Sequence, residues 1–338
     1  CDLSVIRRKF QDDVRRRVKE RAEDLDVTKI VLSATHTHTA PALTDAEETD
    51  LHPYDFLGSW AYRIPPERKD VMRPAEYLDF LAERLSEVAL EAWQARKPGG
   101  ISAALGHAVV AHNRRAVFFD GSTRMYGNTA DPNFSHIEGV SDHSVDVLFF
   151  WRDEKHLEGM VIAVYCPAQE VEGERYLSAD FWYDARKMLR EKYHDNLFVL
   201  PLVGASGDQS PHVMWNKRAE TAGRDRRGLS PREEIARRIV RAVDAVLEEA
   251  RGDVRKELVF QTDTLCINSA LCAGREMSTD ARLFVNTHPR ALSHPDYPST
   301  LQRLLETHQV PRNRVVLEVT EQSAAGSEEM ASSSEELG

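Results

Sequence analysis

Residues 197–212 read LFVLPLVGASGDQSPH. Seven apolar residues, typical of a buried strand, precede a short loop that contains two glycines. Glycine permits a tight turn and a close approach of the backbone to a ligand, and Pro211 biases Ser210 towards extended backbone. The segment therefore predicts a buried strand that ends in a loop presenting Asp208, Ser210 and His212. The alternative is an ordinary strand-to-helix loop whose Ser and Asp side chains cap backbone groups.

A second polar motif, ATHTHTAP at residues 34–41, follows the apolar residues 30–32. Two histidines at i and i+2 on extended backbone point to the same face. Imidazole is the commonest neutral metal ligand and the usual general base near pH 7. Residues 30–32 are interpreted as a buried strand that is a parallel neighbour of the serine strand in one sheet, so we expect His36 and His38 to share a pocket with Ser210. The other interpretation is two polar residues in a turn.

Together the two motifs resemble the neutral, non-lysosomal ceramidases and their bacterial relatives. In that family a Thr-His-Thr-His-Ser-Gly-Pro-like segment supplies a zinc ligand and a second active-site histidine, and a Gly-Asp-x-Ser-Pro segment supplies the serine nucleophile. The resemblance covers roughly residues 1–265. It implies that His36 binds zinc, that Ser210 is the nucleophile and that His38 is the second histidine. It also implies a secreted or periplasmic location.

Two further site residues follow from the same resemblance. Arg114, in the segment AHNRR at residues 111–115, matches an Asn-Arg segment and is a candidate for holding a polar head group; a surface salt bridge is the alternative. Asp208 is a catalytic candidate by its place in the serine motif. We expect it to brace the turn through backbone N–H groups rather than to act as a base.

The metal site departs from the family pattern. The family has a second zinc-binding histidine on the strand that matches residues 160–167, and this chain has Cys166 there. Cys166 is a candidate ligand as a thiolate, with Gln169 and Glu170 as nearby polar alternatives, although a cysteine at a strand end is often a small buried hydrophobe. A catalytic zinc needs about three protein ligands. The family's remaining Glu and Tyr ligands have no clear match, so the resemblance implies one zinc ion with an incomplete ligand set.

The C-terminal part has a different resemblance. LFVNTHPRAL at residues 283–292 and RVVLEVTE at residues 314–321 resemble two pieces of an EAL domain, a cyclic di-GMP phosphodiesterase. Asn286 and Glu318 match two metal ligands of that family. Its Glu-Ala-Leu signature and catalytic lysine are missing, and an eight-stranded barrel needs roughly 200 residues or more. We interpret this part as a fragment.

Alternating strand and helix patterns predict an α/β fold: a mixed or mainly parallel sheet flanked by helices, with a small βαβ-like C-terminal appendage. The predicted domains are a ceramidase-like α/β domain at 1–265 that is incomplete at its N-terminus, a junction at 266–280, an EAL-like fragment at 281–322 and a disordered Ser/Glu-rich tail at 323–338. The predicted helices are 5–24, 74–95, 180–193, 231–251 and 298–307. The predicted strands are 101–110, 145–151, 158–166, 197–203, 282–286 and 314–319. The polar, aromatic segment 44–73 is either a loop that covers the site or a surface insertion.

Composition narrows the class of protein. The 338 residues are 41% hydrophobic and 29% charged, as in ordinary globular proteins. A net charge of −11 gives no basic surface for nucleic acid, and no apolar run reaches the roughly 18 residues of a membrane helix. The four cysteines, at positions 1, 166, 266 and 272, have neither zinc-finger spacing nor a dense disulfide pattern.

The favoured hypothesis is a zinc-dependent amidohydrolase of the ceramidase-like type that cleaves the N-acyl bond of a small-molecule or lipid amide. The alternative is a non-catalytic, truncated α/β scaffold or chimaera with an incomplete metal site. A cyclic-dinucleotide-related protein is a third, weaker hypothesis. The sequence leaves the acyl chain, the head group and the oligomeric state open.

Overall fold

The computed structural model describes residues 1–41, 70–153, 155–257, 283–287, 297–311 and 315–319. The chain divides into two compact units, Cys1–Leu43 with Met72–Phe260, and Thr44–Val71 with Gln261–Gly338. The predicted junction at 266–280, the predicted tail and almost all of the segment 44–73 lie outside the described residues.

The first unit contains five described helices and nine described strands. Its described helices are α1 Arg8–Lys19, α2 Pro74–Ala95, α3 Phe181–Lys192, α4 Lys217–Asp225 and α5 Pro231–Gly252. Its described strands are β1 Gly100–His107, β2 His112–Asn113, β3 Arg115–Phe118, β4 Thr123–Met125, β5 Phe134–Ile137, β6 Ser144–Asp153, β7 His156–Val164, β8 Phe198–Val203 and β9 Gln209–Ser210. Each helix and long strand predicted from periodicity in this unit is present, with ends shifted by a few residues. The short α4 and the strands β2 to β5 and β9 were not predicted.

The main sheet is mixed, as predicted, with the strand order β1-β6-β7-β8. β1 pairs with β6 and β6 with β7 in antiparallel fashion, whereas β7 and β8 run parallel. The pairing is therefore mainly antiparallel rather than mainly parallel. Because β7 and β8 run parallel, with Val164 opposite Val203, both strands end at the same edge of the sheet.

The core lies on the face of this sheet that α3 and α5 cover. Along β6, Val145, Val147, Phe149 and Trp151 are buried because alternate side chains of a strand face the same side. The indole N–H of Trp151 donates to Ser102 Oγ at 2.8 Å, which satisfies the polar atom inside the core. Apolar side chains of α3 and α5 belong to the same buried cluster. One continuous core thus fixes β7, β8 and α3 relative to each other.

Helix α5 begins with a capping box formed by Ser230 and Glu233. Ser230 Oγ accepts from the Glu233 backbone N–H at 3.3 Å, and the Glu233 carboxylate accepts from the Ser230 backbone N–H at 2.7 Å. We expect Ser230→Ala to lower the free energy of unfolding by about 1 kcal/mol, because the Glu233 backbone N–H at the start of the helix loses its side-chain acceptor. Urea unfolding measures this change. The control is Ser230→Thr, which keeps the hydroxyl acceptor and should lie within about 0.5 kcal/mol of wild type; an equal loss in both variants would contradict the capping explanation.

The prediction that residues 30–32 form a strand beside the serine strand is wrong. A single 3-10 turn at Val27–Lys29 precedes them, and Ile30 and Leu32 pack against a separate cluster made by α1 and α2. The residues that follow pair instead with the start of the chain: the backbone N–H groups of Thr35 and Thr37 donate to the carbonyls of Cys1 and Leu3 at 2.9 and 3.1 Å. A three-residue apolar run was too short to distinguish a sheet strand from a segment that packs on helices.

The second unit contains the predicted βαβ-like element. β10 Leu283–Thr287 and β11 Val315–Val319 pair in parallel, and α6 Tyr297–His308 lies between them in the chain. The register places Asn286 opposite Glu318.

Candidate active site

The serine motif forms a loop at the edge where β7 and β8 end. At Gly204, directly after β8, an added Cβ would lie 2.4 Å from the Tyr165 ring, so the close approach of loop and ring requires glycine. The loop ends in β9, which pairs with β2 so that Ser210 lies opposite His112. The predicted strand-then-loop arrangement is present, and the Ser210 side chain is fully buried.

Asp208 braces this loop. Its Oδ2 accepts from Asn113 Nδ2 at 2.7 Å and its Oδ1 from Gln209 Nε2 at 2.9 Å. Its carbonyl oxygen accepts from the Arg114 backbone N–H at 2.9 Å. The sequence predicted bracing through backbone N–H groups, whereas these carboxylate contacts are to side-chain amides. Because both carboxylate oxygens of Asp208 accept hydrogen bonds from side-chain amides, the geometry favours a bracing role. The catalytic role of Asp208 stays a prediction.

The Ser210 hydroxyl lies between two hydrogen-bonding groups. The backbone N–H of His212 donates to Ser210 Oγ at 3.1 Å, and the Tyr126 hydroxyl lies 3.2 Å from it. Behind Tyr126, the buried Arg114 has Nη1 3.5 Å from the phenol oxygen, and its Nη2 donates to the Gly207 carbonyl at 2.8 Å. Arg114 thus supports the serine loop and the phenol, and its predicted role towards a polar head group stays a prediction.

Tyr126 is the contact of Ser210 that the sequence did not indicate. It follows β4, in a small sheet with the order β4-β3-β5, and adopts a left-handed backbone with φ 54°. Its backbone N–H donates to the Arg114 carbonyl at 2.7 Å, which turns the phenol towards the serine loop. The local sequence signal was only a turn at Gly127-Asn128. Such a turn does not reveal that Tyr126 contacts a residue 84 positions later.

The loop between β7 and α3 supplies the acidic residues of the site. Asp180 closes this loop: its buried carboxylate accepts from the backbone N–H groups of Val171 and Phe181 at 2.8 and 2.7 Å. Burial raises the pKa of Asp180, although these backbone hydrogen bonds oppose the shift. The closed loop brings Glu170 and Glu172 to the serine motif.

The two predicted histidines lie together, with ring centroids 5.3 Å apart. His36 adopts a left-handed backbone with φ 58°, so the segment is not uniformly extended as expected. His36 Nδ1 lies 2.6 Å from the Ser4 carbonyl oxygen. His38 Nδ1 lies 3.2 Å from Glu172 Oε2, and its Nε2 lies 2.7 Å from Gln169 Nε2. This pattern fits a His38 that carries its proton on Nδ1 and accepts from Gln169 at Nε2.

Glu172 connects the histidine motif with the serine motif. Its Oε1 lies 3.5 Å from the Tyr126 hydroxyl and 3.7 Å from His212 Nδ1, while Oε2 contacts His38. His212 also packs against the Tyr126 ring, with centroids 5.8 Å apart. A continuous chain of contacts therefore runs from Ser210 through Tyr126 and Glu172 to His38. His212, presented by the serine loop, flanks it.

The two glutamates differ in their electrostatics. Burial alone would raise the pKa of Glu172, but the hydrogen bond from His38 and the nearby His212 and Arg114 lower it overall. Burial raises the pKa of Glu170, and the attraction of His212 only partly opposes this. The surroundings thus favour the ionised form of Glu172, which leaves its carboxylate free to accept a proton, whereas burial disfavours the ionised form of Glu170.

The donors in the described residues do not fit a zinc site with three protein ligands. Cys166 is fully buried, burial raises the pKa of its thiol well above the usual value, and its Sγ lies 3.7 Å from the Val110 carbonyl oxygen. Zinc binds the thiolate form. In the part of the chain that the structure describes, no group of three or more His, Cys, Asp or Glu side chains is arranged to hold a metal ion. Metal binding by His36 and Cys166 stays a prediction, and no step below passes through zinc.

Solved structures of ceramidases share this fold. The crystal structure of neutral ceramidase from Pseudomonas aeruginosa matches with a TM-score of 0.50 and 16% sequence identity, over 74% of this chain and 36% of that chain. A ceramidase complexed with C2 matches with the same TM-score and identity, over 74% of this chain and 35% of that chain. The chain therefore spans about a third of the length of the ceramidases it matches. The predicted ceramidase-like fold is confirmed.

Other comparisons add no relative. No protein-family model matches the chain, and no curated protein matches it. The resemblance of residues 281–322 to an EAL domain is therefore unsupported. Among the described residues, none of the helices combines the length and the apolar character needed to span a bilayer.

Proposed function

We propose that this chain is the Ser210-bearing part of a ceramidase-like amide hydrolase that cleaves an N-acyl bond. The observation that carries the proposal is the position of Ser210 Oγ, 3.2 Å from the Tyr126 hydroxyl and 3.1 Å from the His212 backbone N–H, at the end of a chain of acid–base groups. A serine hydroxyl is a weak nucleophile until a neighbouring group takes its proton. The fold shared with ceramidases supports the choice of an amide as substrate.

The contacts suggest a path for the serine proton. Ser210 Oγ attacks the amide carbonyl carbon and its proton passes to the Tyr126 oxygen, while the Tyr126 proton passes to Glu172, 3.5 Å away. Either hydroxyl can donate, because a hydroxyl hydrogen rotates freely. The His212 backbone N–H holds Oγ in position for the attack, and Arg114 stabilises the partial negative charge that the Tyr126 oxygen carries while its two protons are in transfer.

The same groups complete the cycle. When the C–N bond breaks, the amine nitrogen takes a proton returned through Tyr126, and the acyl group remains on Ser210 as an ester. Water then attacks this ester and gives a proton to the same path. The bond between the acyl carbon and Ser210 Oγ breaks, Oγ takes the proton back through Tyr126, and the carboxylic acid is released. His38 and His212 hold Glu172 in place through contacts of 3.2 and 3.7 Å, so that its carboxylate faces Tyr126.

Removing the phenol hydroxyl tests this path. We expect Tyr126→Phe to lower kcat/KM for an N-acyl amide by about 10²- to 10³-fold, because general acid–base groups contribute on that order. Turnover of a fluorogenic N-acyl amide measures the change, with circular dichroism as the check on folding. The matched control is Tyr183→Phe, since Tyr183 is 58% exposed on α3 and contacts none of these groups in the described structure. Equal activity in both variants would remove Tyr126 from the mechanism.

A second candidate function, the non-catalytic scaffold, is favoured by one observation: the described residues assemble no three-ligand metal group. Two measurements separate the candidates. Acid quenching during turnover, followed by peptide mass analysis, should find the acyl group on Ser210 if the chain is a serine amidase. Metal analysis of purified wild type and His36→Ala shows whether zinc is bound near one ion per chain and whether His36 holds it. If neither an acyl adduct nor turnover is detected, the result supports the scaffold.

A further inference from the structure

A cavity of about 290 Å³ adjoins the serine motif, because Pro211 and His212 form part of its wall. The rest of the wall comes from the segment before β2 and from His112 of β2, from Glu170, from α4 and from the first turns of α5. His212 belongs both to the wall of this cavity and to the surroundings of the catalytic groups, since its ring also packs against Tyr126. A ligand in the cavity would therefore lie next to a substrate bound at Ser210.

Helix α4 presents two cationic side chains to the cavity. Lys217, Thr221 and Arg224 line it together, because residues four and seven positions apart share one face of a helix. Within the described residues no carboxylate pairs with Lys217. Arg224 pairs with Asp225 at 3.3 Å, and the Asp225 side chain is 62% exposed. An exposed pair of this kind contributes little, so Arg224 can turn towards a bound anion at small cost.

The remaining cation of the wall, Arg238, is already neutralised. It contacts Glu220 at 2.5 Å and Glu234 at 3.0 Å. Glu234 in turn also binds Arg227 and Arg237, and the hydrogen bonds from Arg237 and its neighbours lower the pKa of Glu234 to about 2. This network satisfies its own charges and leaves Lys217 and Arg224 as the positive groups of the cavity.

One further carboxyl group, Glu170, faces these cations. It lies 3.8 Å from His212 Nε2, and burial raises its pKa. The ion-pair contact that the described structure gives this carboxyl group is with His212, and none joins it to Lys217 or Arg224. This leaves the cavity with a positive balance from α4.

The apolar part of the wall adds to the recognition of a ligand. It comes from Val109, Val110, Pro211, Val213, Pro231 and Ile235. The cavity thus fits a group that combines a negative charge with a hydrocarbon part.

We infer that this cavity binds a carboxylate on the amine half of the amide substrate, so that the substrate class is an N-acyl amino acid rather than a neutral N-acyl amino alcohol. The inference rests on the proposed amide hydrolysis at Ser210, because the bound carboxylate is part of a substrate only if that hydrolysis occurs. The binding preference itself is independent of turnover. Lys217 and Arg224 attract the carboxylate.

Two ligands that differ only in the charged group test the inference. N-hexanoylglycine carries a carboxylate where N-hexanoylethanolamine carries a neutral hydroxymethyl group. We expect isothermal titration calorimetry on the full chain at low salt to give about tenfold tighter binding of N-hexanoylglycine. Lys217→Met and Arg224→Met should each reduce this preference about threefold, and the double variant should lose it. The control is Arg218→Met, which removes a charge from the same helix outside the cavity wall.

The outcomes separate this inference from the proposed function. Equal affinity of wild type for the two ligands, or a preference that survives in the double variant, would overturn the carboxylate site even if both compounds are hydrolysed. A preference that disappears in the double variant but persists in Arg218→Met would support the site even if no amide is cleaved. In that case the carboxylate site stands and the hydrolase proposal fails.

Discussion

Replacing Ser210 with alanine is expected to abolish hydrolysis of an N-acyl amide, with a loss in kcat/KM on the order of 10⁴-fold or more. The variant removes the nucleophile but keeps Tyr126, Glu172 and both histidines. The remaining groups cannot compensate, because residues that act as one unit are strongly non-additive. Steady-state turnover of a fluorogenic N-acyl amide measures the loss.

Folding has to be separated from chemistry in this variant. Ser210 is fully buried, and its Oγ accepts from the His212 backbone N–H. Ser210→Ala leaves that donor without its partner and should lower the free energy of unfolding by about 1–3 kcal/mol. Ser206→Ala, in the same loop, is the matched control and should keep wild-type turnover. If folded Ser210→Ala retained full activity, the serine mechanism would be rejected in favour of direct attack by water.

Local sequence patterns were sufficient to predict the strand, the loop and the helices around the site. The apolar run at residues 197–203 and the glycines that follow it determine a strand and a tight loop through contacts within about ten residues. The capping box at Ser230 and Glu233 fixes the start of α5 in the same local way. Apolar residues that recur with a period of 2 or 3.6 predicted the other long strands and helices, because each of these elements buries one face.

The partners of Ser210 could not be found by such patterns. Tyr126 reaches the serine loop only because β3 and β4 fold back on the Arg114 segment, and Glu172 reaches it only because Asp180 closes its loop. Neither residue belongs to a recognisable motif. Each has its place because of contacts between distant parts of the chain, which a single sequence does not display.

In the histidine segment, the sequence predicted a strand that the structure does not contain. Residues 30–32 were interpreted as a sheet strand because they are apolar, yet Val31 is exposed and its neighbours pack on α1 and α2. The two histidines nevertheless lie near the serine motif. The reason is that the Thr35 carbonyl accepts from the Ala168 backbone N–H at 3.0 Å, which ties the segment to the loop after β7. The expectation of proximity thus rested on an incorrect structural argument.

The core of the main sheet leads to a prediction on stability. Phe149 and Phe150 are adjacent in β6 and face opposite sides of the sheet. Phe149 is fully buried beside Trp151, with ring centroids 6.0 Å apart, whereas Phe150 is 36% exposed. Both positions pair with β1 and β7, so a replacement at either site changes the strand propensity to the same degree. The pair therefore isolates the effect of burial.

We expect Phe149→Ala to lower the free energy of unfolding by about 3–5 kcal/mol, through lost apolar burial and a cavity between the sheet and the helices α3 and α5. Phe150→Ala should lower it by only about 1 kcal/mol, because a partly exposed ring leaves no closed cavity and loses mainly strand propensity. Urea unfolding followed by tryptophan fluorescence and circular dichroism measures both values. Similar losses in the two variants would contradict a core confined to the face under α3 and α5. That result would require a second buried layer on the Phe150 side of the sheet.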